Sequence, residues 1–169
     1  MPDRRPSGEA PRLFNSPLEC GLRLLFVLNA LRPGRCDLQR LVNYDYLLLH
    51  SADVEGGPPS LHPASPFRGG EWLVRRDAIA DGLGLMHARE LLEKSYDRSG
   101  ISYAGTEMTN AFLGLLRNDY ARNLADRSSW LAERFGAMSD EALSNFMRVN
   151  VGRWGAEFDR LAALRDLEI

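Results

Sequence analysis

Lysine is nearly missing from this chain. Of its 21 basic residues only Lys94 is a lysine, and the rest are arginines. Lys94 is not preceded by the glycines that cradle phosphates in a P-loop, which argues against ATP hydrolysis by this chain. The arginine bias itself reads as genome base composition rather than as a demand for guanidinium chemistry. Cysteine is scarce as well. Cys20 and Cys36 are too few for a disulfide scaffold or a zinc site, and Cys20 lies in an apolar helix where a free thiol packs as a small hydrophobe. A reducing compartment follows. No long apolar run is present: the longest, Leu24 to Leu28, falls far short of a membrane span. The start, MPDRRPSGEAPR, is basic but has no apolar core behind it before Leu13, so it does not read as a secretory signal. The expected location is the cytoplasm. An excess of positive charge is also lacking. A net charge of -2 and a pI of about 5.9 argue against a stand-alone nucleic-acid binder, although a local basic face stays open.

What is there suits one domain with an appendage: 169 residues, 44% of them hydrophobic, enough for a core. Residues 1–12 are rich in Pro, Arg, Gly and Glu and are expected to form a disordered tail. Ser16 with Glu19 makes a capping box, with Pro17 at the first helical position. The helix that follows, to about Leu31, is apolar on nearly all sides (Leu18, Leu22, Leu24 to Leu28), which predicts burial. Asp37 caps a second helix over 38–49, with Leu38, Leu41, Val42, Leu48 and Leu49 inward. Asp45 falls near that stripe and needs a partner there, an arginine by preference. Residues 51–70 form a Pro/Gly-rich loop of unusual length. A third helix is expected from Glu71 or Trp72 to Arg89; Gly82 and Gly84 within it mark a close contact or a kink.

Leu91 to Asp97 and Ile101 to Ala104 read as a hairpin with Gly100 at its turn. Thr106 then caps a helix whose inner stripe is expected to hold Met108, Phe112, Leu115, Leu116, Tyr120 and Leu124, and which is expected to run on to Phe135. Ser139 caps a further helix with Leu143, Phe146, Met147 and Val149 inside, and a last helical stretch carries Trp154, Phe158, Leu161, Leu164 and Leu167. The expected fold class is mainly α with a small β-hairpin. Its order is that of a winged helix-turn-helix core over 13–106, followed by a helical extension over 107–169.

A catalytic constellation is not visible in the sequence. His50, Asp53 and His62 flank the Pro/Gly loop, but their spacing is not that of metal ligands on a helix. Carboxylate pairs such as Asp140-Glu141 stand in first helical turns, where the dipole alone explains them. The expectation is a non-enzyme with no cofactor. Arg68, Arg75, Arg76, Arg89, Lys94 and Arg98 cluster around the third helix and the wing, yet Asp77, Asp81, Glu90, Glu93 and Asp97 nearly cancel them. A balanced wing looks towards protein rather than DNA. Arg75 and Arg76, disfavoured by the dipole near a helix start, are candidates to face a partner, together with Pro66, Phe67 and Arg68. Trp154, Phe158, Leu161 and Leu164 are a second candidate surface, with internal packing as the favoured alternative.

Three stretches together carry a family likeness: FNSPLECGLRLLFVLNAL (14–31), LVNYDYLLLHSADV (41–54) and PFRGGEWLVRRDAIADGLGLMHARELLEKS (66–95). With the Asp45-Tyr46 pair and the run from Gly70 to Arg76, the chain resembles the middle component of bacterial ABC three-component systems. That group includes the related small subunit of Lamassu-type antiphage defence. The likeness covers about residues 13–135. It implies a winged-helix adaptor without activity of its own, sitting between an SMC- or Rad50-like ABC ATPase that senses aberrant DNA and an effector, often a nuclease. DNA would be met only through the complex, and no membrane is implied. The alternative is a winged-helix transcription regulator, which requires a basic face and a symmetric homodimer on DNA.

Overall fold

The computed structural model describes residues 15–63 and 68–165, with side chains over 15–63 and 75–154. The chain is mainly helical with one small three-stranded sheet. The tail expected over 1–12 lies outside the described residues.

Helix α1 spans Pro17–Ala30 and starts as its sequence demands. Ser16 Oγ accepts from the Glu19 amide at 3.3 Å and Glu19 Oε2 accepts from the Ser16 amide at 3.1 Å. Cys20 to Leu28 line its buried length apart from the half-buried Leu22, while Leu18 at its start is exposed, against the expectation of burial all round. Strand β1, Cys36–Asp37, is two residues long and has no counterpart in the sequence reading. Asp37 ends it and caps α2, Leu38–Leu49, its carboxylate accepting from the Arg40 amide at 2.7 Å. Every residue of α2 from Leu41 to Leu49 is buried.

The long loop is more ordered than its composition suggests. A short 3-10 turn, Ser51–Asp53, follows α2. The amides of Leu61 and His62 return to the Leu49 carbonyl at 3.0 and 3.2 Å. Helix α3 begins at Arg68, three residues or more before its expected start, and ends at Ala88. Glu90, with φ 59, closes it and lets the Leu91 amide reach the Met86 carbonyl at 3.0 Å.

Strands β2, Glu93–Asp97, and β3, Gly100–Ala104, form the expected hairpin. Asp97 stands opposite Gly100, whose φ of 121 favours glycine, and Tyr96 stands opposite Ile101. Strand β1 pairs antiparallel with β3, Cys36 against Tyr103, so the sheet order is β1-β3-β2.

The helix expected from Thr106 to Phe135 is broken. Thr106 caps α4, Glu107–Leu113, and Asn118 caps a separate α5, Asp119–Phe135. The break turns Met108, Leu115 and Tyr120 outward instead of into the core. The last two stretches are instead one helix, α6, Asp140–Arg165, in which Val149 is exposed and Val151 and Trp154 are buried. Helices α5 and α6 pack on α1, α2 and α3, and Leu131, Phe135, Leu143 and Met147 share one hydrophobic core with α1 and α2.

Helices α1 and α3 touch backbone to backbone. A Cβ on Gly21 would lie 2.5 Å from the Gly82 carbonyl oxygen, and one on Gly82 would lie 2.6 Å from the Gly21 nitrogen. Gly82 is thus the close contact that the sequence marked. Gly84 is not, since a Cβ there would have nothing within 4 Å. Gly82→Ala is therefore expected to destabilise the chain by about 1–3 kcal/mol through overpacking. Gly84→Ala is expected to stabilise it by about 0.4–1 kcal/mol by restricting the unfolded chain. Urea denaturation of the two variants checks both signs.

Candidate functional site

Three successive residues of α2 place polar groups in the core: Tyr44, Asp45 and Tyr46, all essentially inaccessible. A helix enclosed on all sides cannot hydrate such groups, so each must find a protein partner.

Asp45, 0% exposed, finds two arginines. Arg23 of α1 grips it with two parallel bonds, Nε to Oδ1 at 2.9 Å and Nη2 to Oδ2 at 3.2 Å. Arg75 of α3 reaches Oδ2 from its Nη1 at 3.5 Å. Arg23 is 2% exposed and also donates to Asn15 Oδ1 at 3.3 Å. Burial works against its charge, but Asp45 more than offsets this and raises the Arg23 pKa above its ordinary value. Beside them, burial first and then Arg23 and Arg75 lower the His62 pKa. His62 Nε2 lies 3.1 Å from the Tyr120 hydroxyl.

Tyr44 and Arg40 hold the far end of α5. The Arg40 Nη2 donates to the carbonyls of Phe135 and Met138 at 3.2 and 2.6 Å, and its Nη1 meets Asp140 at 2.6 Å. A cation on the last carbonyls of one helix and the first carboxylate of the next suits both dipoles. The Arg40 Nε donates to the Tyr44 hydroxyl at 2.8 Å, and that hydroxyl donates to the Phe135 carbonyl at 3.3 Å. A cleft of about 420 Å³ opens here, walled by Leu31, Arg35, Cys36 and Met138. Burial pushes the Cys36 thiol up to about 11, and Cys20 is raised for the same first reason. Both thiols are thus protonated at neutral pH and are not poised as nucleophiles.

Tyr46 donates to Asp53 Oδ2 at 3.0 Å and stacks on Trp154, with ring centroids 5.6 Å apart and planes 9° apart. Asp53, His50 and His62 thus serve different contacts: Tyr46 bonds Asp53, His50 tilts against the Tyr46 ring and His62 meets Tyr120. Among the described residues no group of three or more His, Cys, Asp or Glu is placed to hold a metal ion. Among them, too, no helix is long and apolar enough to cross a membrane.

The candidate partner-facing residues separate. Arg75 faces inward to Asp45, whereas Arg76 is exposed and donates to Gln39 Oε1 at 2.7 Å. With α3 starting at Arg68, neither stands in a first turn, so the dipole does not disfavour them. Trp154 is buried on Tyr46. Pro66 and Phe67 lie outside the described residues, as do the side chains of Arg68, Phe158, Leu161 and Leu164. Sequence reasoning missed Arg23 and Arg40. A lone arginine inside the run from Leu22 to Leu28 was the available signal for the first, since a cation in a buried helix must be paired.

The model of the family described as ABC-three component (ABC-3C) system Middle Component 2 matches residues 13–157. The chain belongs to this family. Curated proteins and solved structures gave no match. The family match runs past residue 135, where the likeness seen in the sequence stopped, and takes in most of α6 with Trp154. In this middle component, then, the Asp45-Tyr46 pair and its partners Arg23, Arg75 and Trp154 all fall within the matched region.

Asp45→Asn keeps the shape and removes the charge between two buried guanidiniums. It is expected to destabilise the fold by about 3–5 kcal/mol. Glu107→Gln, which touches only the exposed pair with Arg32, is expected to stay within about 0.5 kcal/mol. Thermal melts of the two variants check the contrast. His62 sets a pH dependence. Its lowered folded pKa means that the unfolded chain binds the proton more readily. Its contribution is complete above the ordinary imidazole value of about 6.5 and is lost as pH falls towards the folded value. Melting curves of wild type and His62→Gln between about pH 7 and pH 5 should show the smaller acid loss in the variant.

Proposed function

We propose that this middle component is a non-enzymatic adaptor of an antiphage defence complex of the Lamassu type. It links an SMC- or Rad50-like ABC ATPase to an effector, a nuclease by preference, and restrains that effector until the ATPase is triggered. Family membership supports the three-component setting. The order α1-β1-α2-α3-β2-β3 with sheet order β1-β3-β2 supports the winged-helix reading of the core.

The observation that carries the reading lies on the wing. Tyr96 and Ile101 stand opposite each other in the β2-β3 hairpin, and both are exposed. The Lys94 ammonium lies over the Tyr96 ring, 5.3 Å from its centroid, and the ring still stays 71% exposed. A cross-strand aromatic–aliphatic pair left in water is what a protein partner covers. The outer side of α3 points the same way. Asp77 and Asp81 are exposed one turn apart and offset the exposed Arg76, so the outer side of α3 carries no excess of cations among the residues whose side chains are described, as a DNA-reading helix would need. The adaptor works by binding one state of the ATPase–effector assembly better than another, which shifts its population.

The test is co-expression of the tagged chain with the products of its two flanking genes and recovery at moderate salt. Stoichiometric recovery of a coiled-coil ATPase is expected, and the double variant Tyr96→Glu, Ile101→Glu should lower recovery of one partner at least tenfold. A chain that elutes alone, as a homodimer whose duplex binding falls steeply with salt, would replace the adaptor with a regulator.

A further inference from the structure

The sheet has two edges, and they differ. Strand β1 is two residues long and passes straight into α2, so its edge is short. Strand β2 ends the sheet on the other side, and among the described residues no strand pairs with its outer edge. That edge is five residues long, contains no proline, and runs from Glu93–Ala104 to Asp97–Gly100 without a bulge. Proline and bulges are the devices that blunt an open edge, and neither is present in β2.

The register fixes which backbone groups face outward. A two-residue turn closes on a hydrogen-bonded pair, here Asp97 with Gly100. Alternation then turns Ser95 and Glu93 towards β3 as well, and the amides and carbonyls of Lys94 and Tyr96 towards the free edge. Donors and acceptors therefore stand in one row at strand spacing. A helix satisfies its own backbone and cannot pair with such a row, whereas an extended backbone can. Side chains sort by face in the same way. Glu93, Ser95 and Asp97 share one face, and Lys94 and Tyr96 share the other.

The charges of β2 act against one occupant, a second copy of the chain. Two copies of one strand pair antiparallel about a residue that faces itself. With Ser95 at that point, Glu93 meets the copy's Asp97, and with Tyr96 there, Lys94 meets the copy's Arg98. With Glu93, Lys94 or Asp97 there, each meets its own charge. Like charges directly opposite destabilise a strand pair. The charges also select a different occupant. Glu93 is already met by Arg35 at 2.9 Å. Asp97 is exposed, accepts from Ser99, and has no ion pair among the described residues.

We infer that the free edge of β2 takes an extended segment of a partner subunit as a further strand of the sheet, with a basic residue opposite Asp97 and an apolar residue opposite Tyr96. The two are successive residues of that segment and point to opposite faces. This inference rests on the wing reading and deepens it, because it names the form of the partner that covers Tyr96.

Hydrogen exchange at single amides, on the isolated chain and on the co-expressed complex, tests it. In the isolated chain the amides of Lys94 and Tyr96 should exchange fast, and those of Ser95 and Asp97 slowly. In the complex Lys94 and Tyr96 should slow at least tenfold. Lys94→Pro removes an outward amide and no bond to β3, while Lys94→Ala keeps that amide. Lys94→Pro should lower recovery of the wing's partner at least tenfold, and Lys94→Ala should recover it as wild type does. Asp97→Asn, which can still accept from Ser99, should weaken the same partner and leave binding less sensitive to salt. Unchanged recovery and salt dependence in Asp97→Asn overturn the stated chemistry of the segment. Full recovery by Lys94→Pro overturns the added strand, and so do unslowed Lys94 and Tyr96 amides in the complex. The wing reading then stands if Tyr96→Glu, Ile101→Glu still loses the partner. Slow Lys94 and Tyr96 amides in the isolated chain overturn the inference too, because this chain or a second copy then covers the edge. Should Lys94→Pro fail to fold, exchange in the unsubstituted chain decides. A wild-type chain that recovers no partner overturns the adaptor reading itself, and this inference with it.

Discussion

The carboxylate of Asp45 has to be neutralised where water cannot reach it, and that requirement sets how α1, α2 and α3 meet. Arg23 satisfies most of it with a two-pronged grip, and Arg75 adds a longer bond from the third helix. Such a cluster is a weak source of stability, since desolvating three charges costs about what their attraction returns. What it contributes is direction. An apolar helix can rotate or slide against apolar neighbours at small cost, but a buried carboxylate cannot leave its guanidiniums. Residues on either side of Asp45 extend the same logic. Tyr44 points to the end of α5, and Tyr46 to the loop and to Trp154 of α6. Three neighbouring positions of one helix thus specify the placement of four other helices and a loop.

The second half of the chain is attached by a different device. Arg40 gathers the last carbonyls of α5 and the first carboxylate of α6, so the turn between these helices is fixed by a side chain from α2. Arg127 of α5 donates to the Pro59 carbonyl at 2.9 Å and helps pin the loop after α2. The Gly21–Gly82 crossing adds a steric limit that no side chain can relax. Between them, these contacts tie α1, α2, α3, α5 and α6 to one another.

Much of the first half was legible in the sequence because its signals are local. Ser16 with Glu19, Asp37 and Thr106 each announce a helix start through their own hydrogen-bonding chemistry, and each sits where it should. The need of Asp45 for an arginine followed from the apolar stripe around it. Its actual partners did not, because they come from helices 22 and 30 residues away along the chain. Strand β1 was invisible: two residues carry no alternation, and only pairing with β3 makes them a strand. The break between α4 and α5 was missed because Met108, Leu115 and Tyr120 keep helical spacing across it, while Gly114 and the Asn118 cap interrupt the backbone. In the site, Arg75 and Trp154 drew notice as unusual residues, but sequence does not say whether an unusual residue turns inward. Both turn inward here.

The pairing of Cys36 with Tyr103 also bears on how the chain folds. The β2-β3 hairpin closes over a two-residue turn, so its register is set locally. The β1-β3 pairing joins residues far apart along the chain, and closing so long a separation costs entropy that two residues of pairing repay only in part. During synthesis β1 emerges long before its partner strand, and its edge stays unmatched until the hairpin arrives.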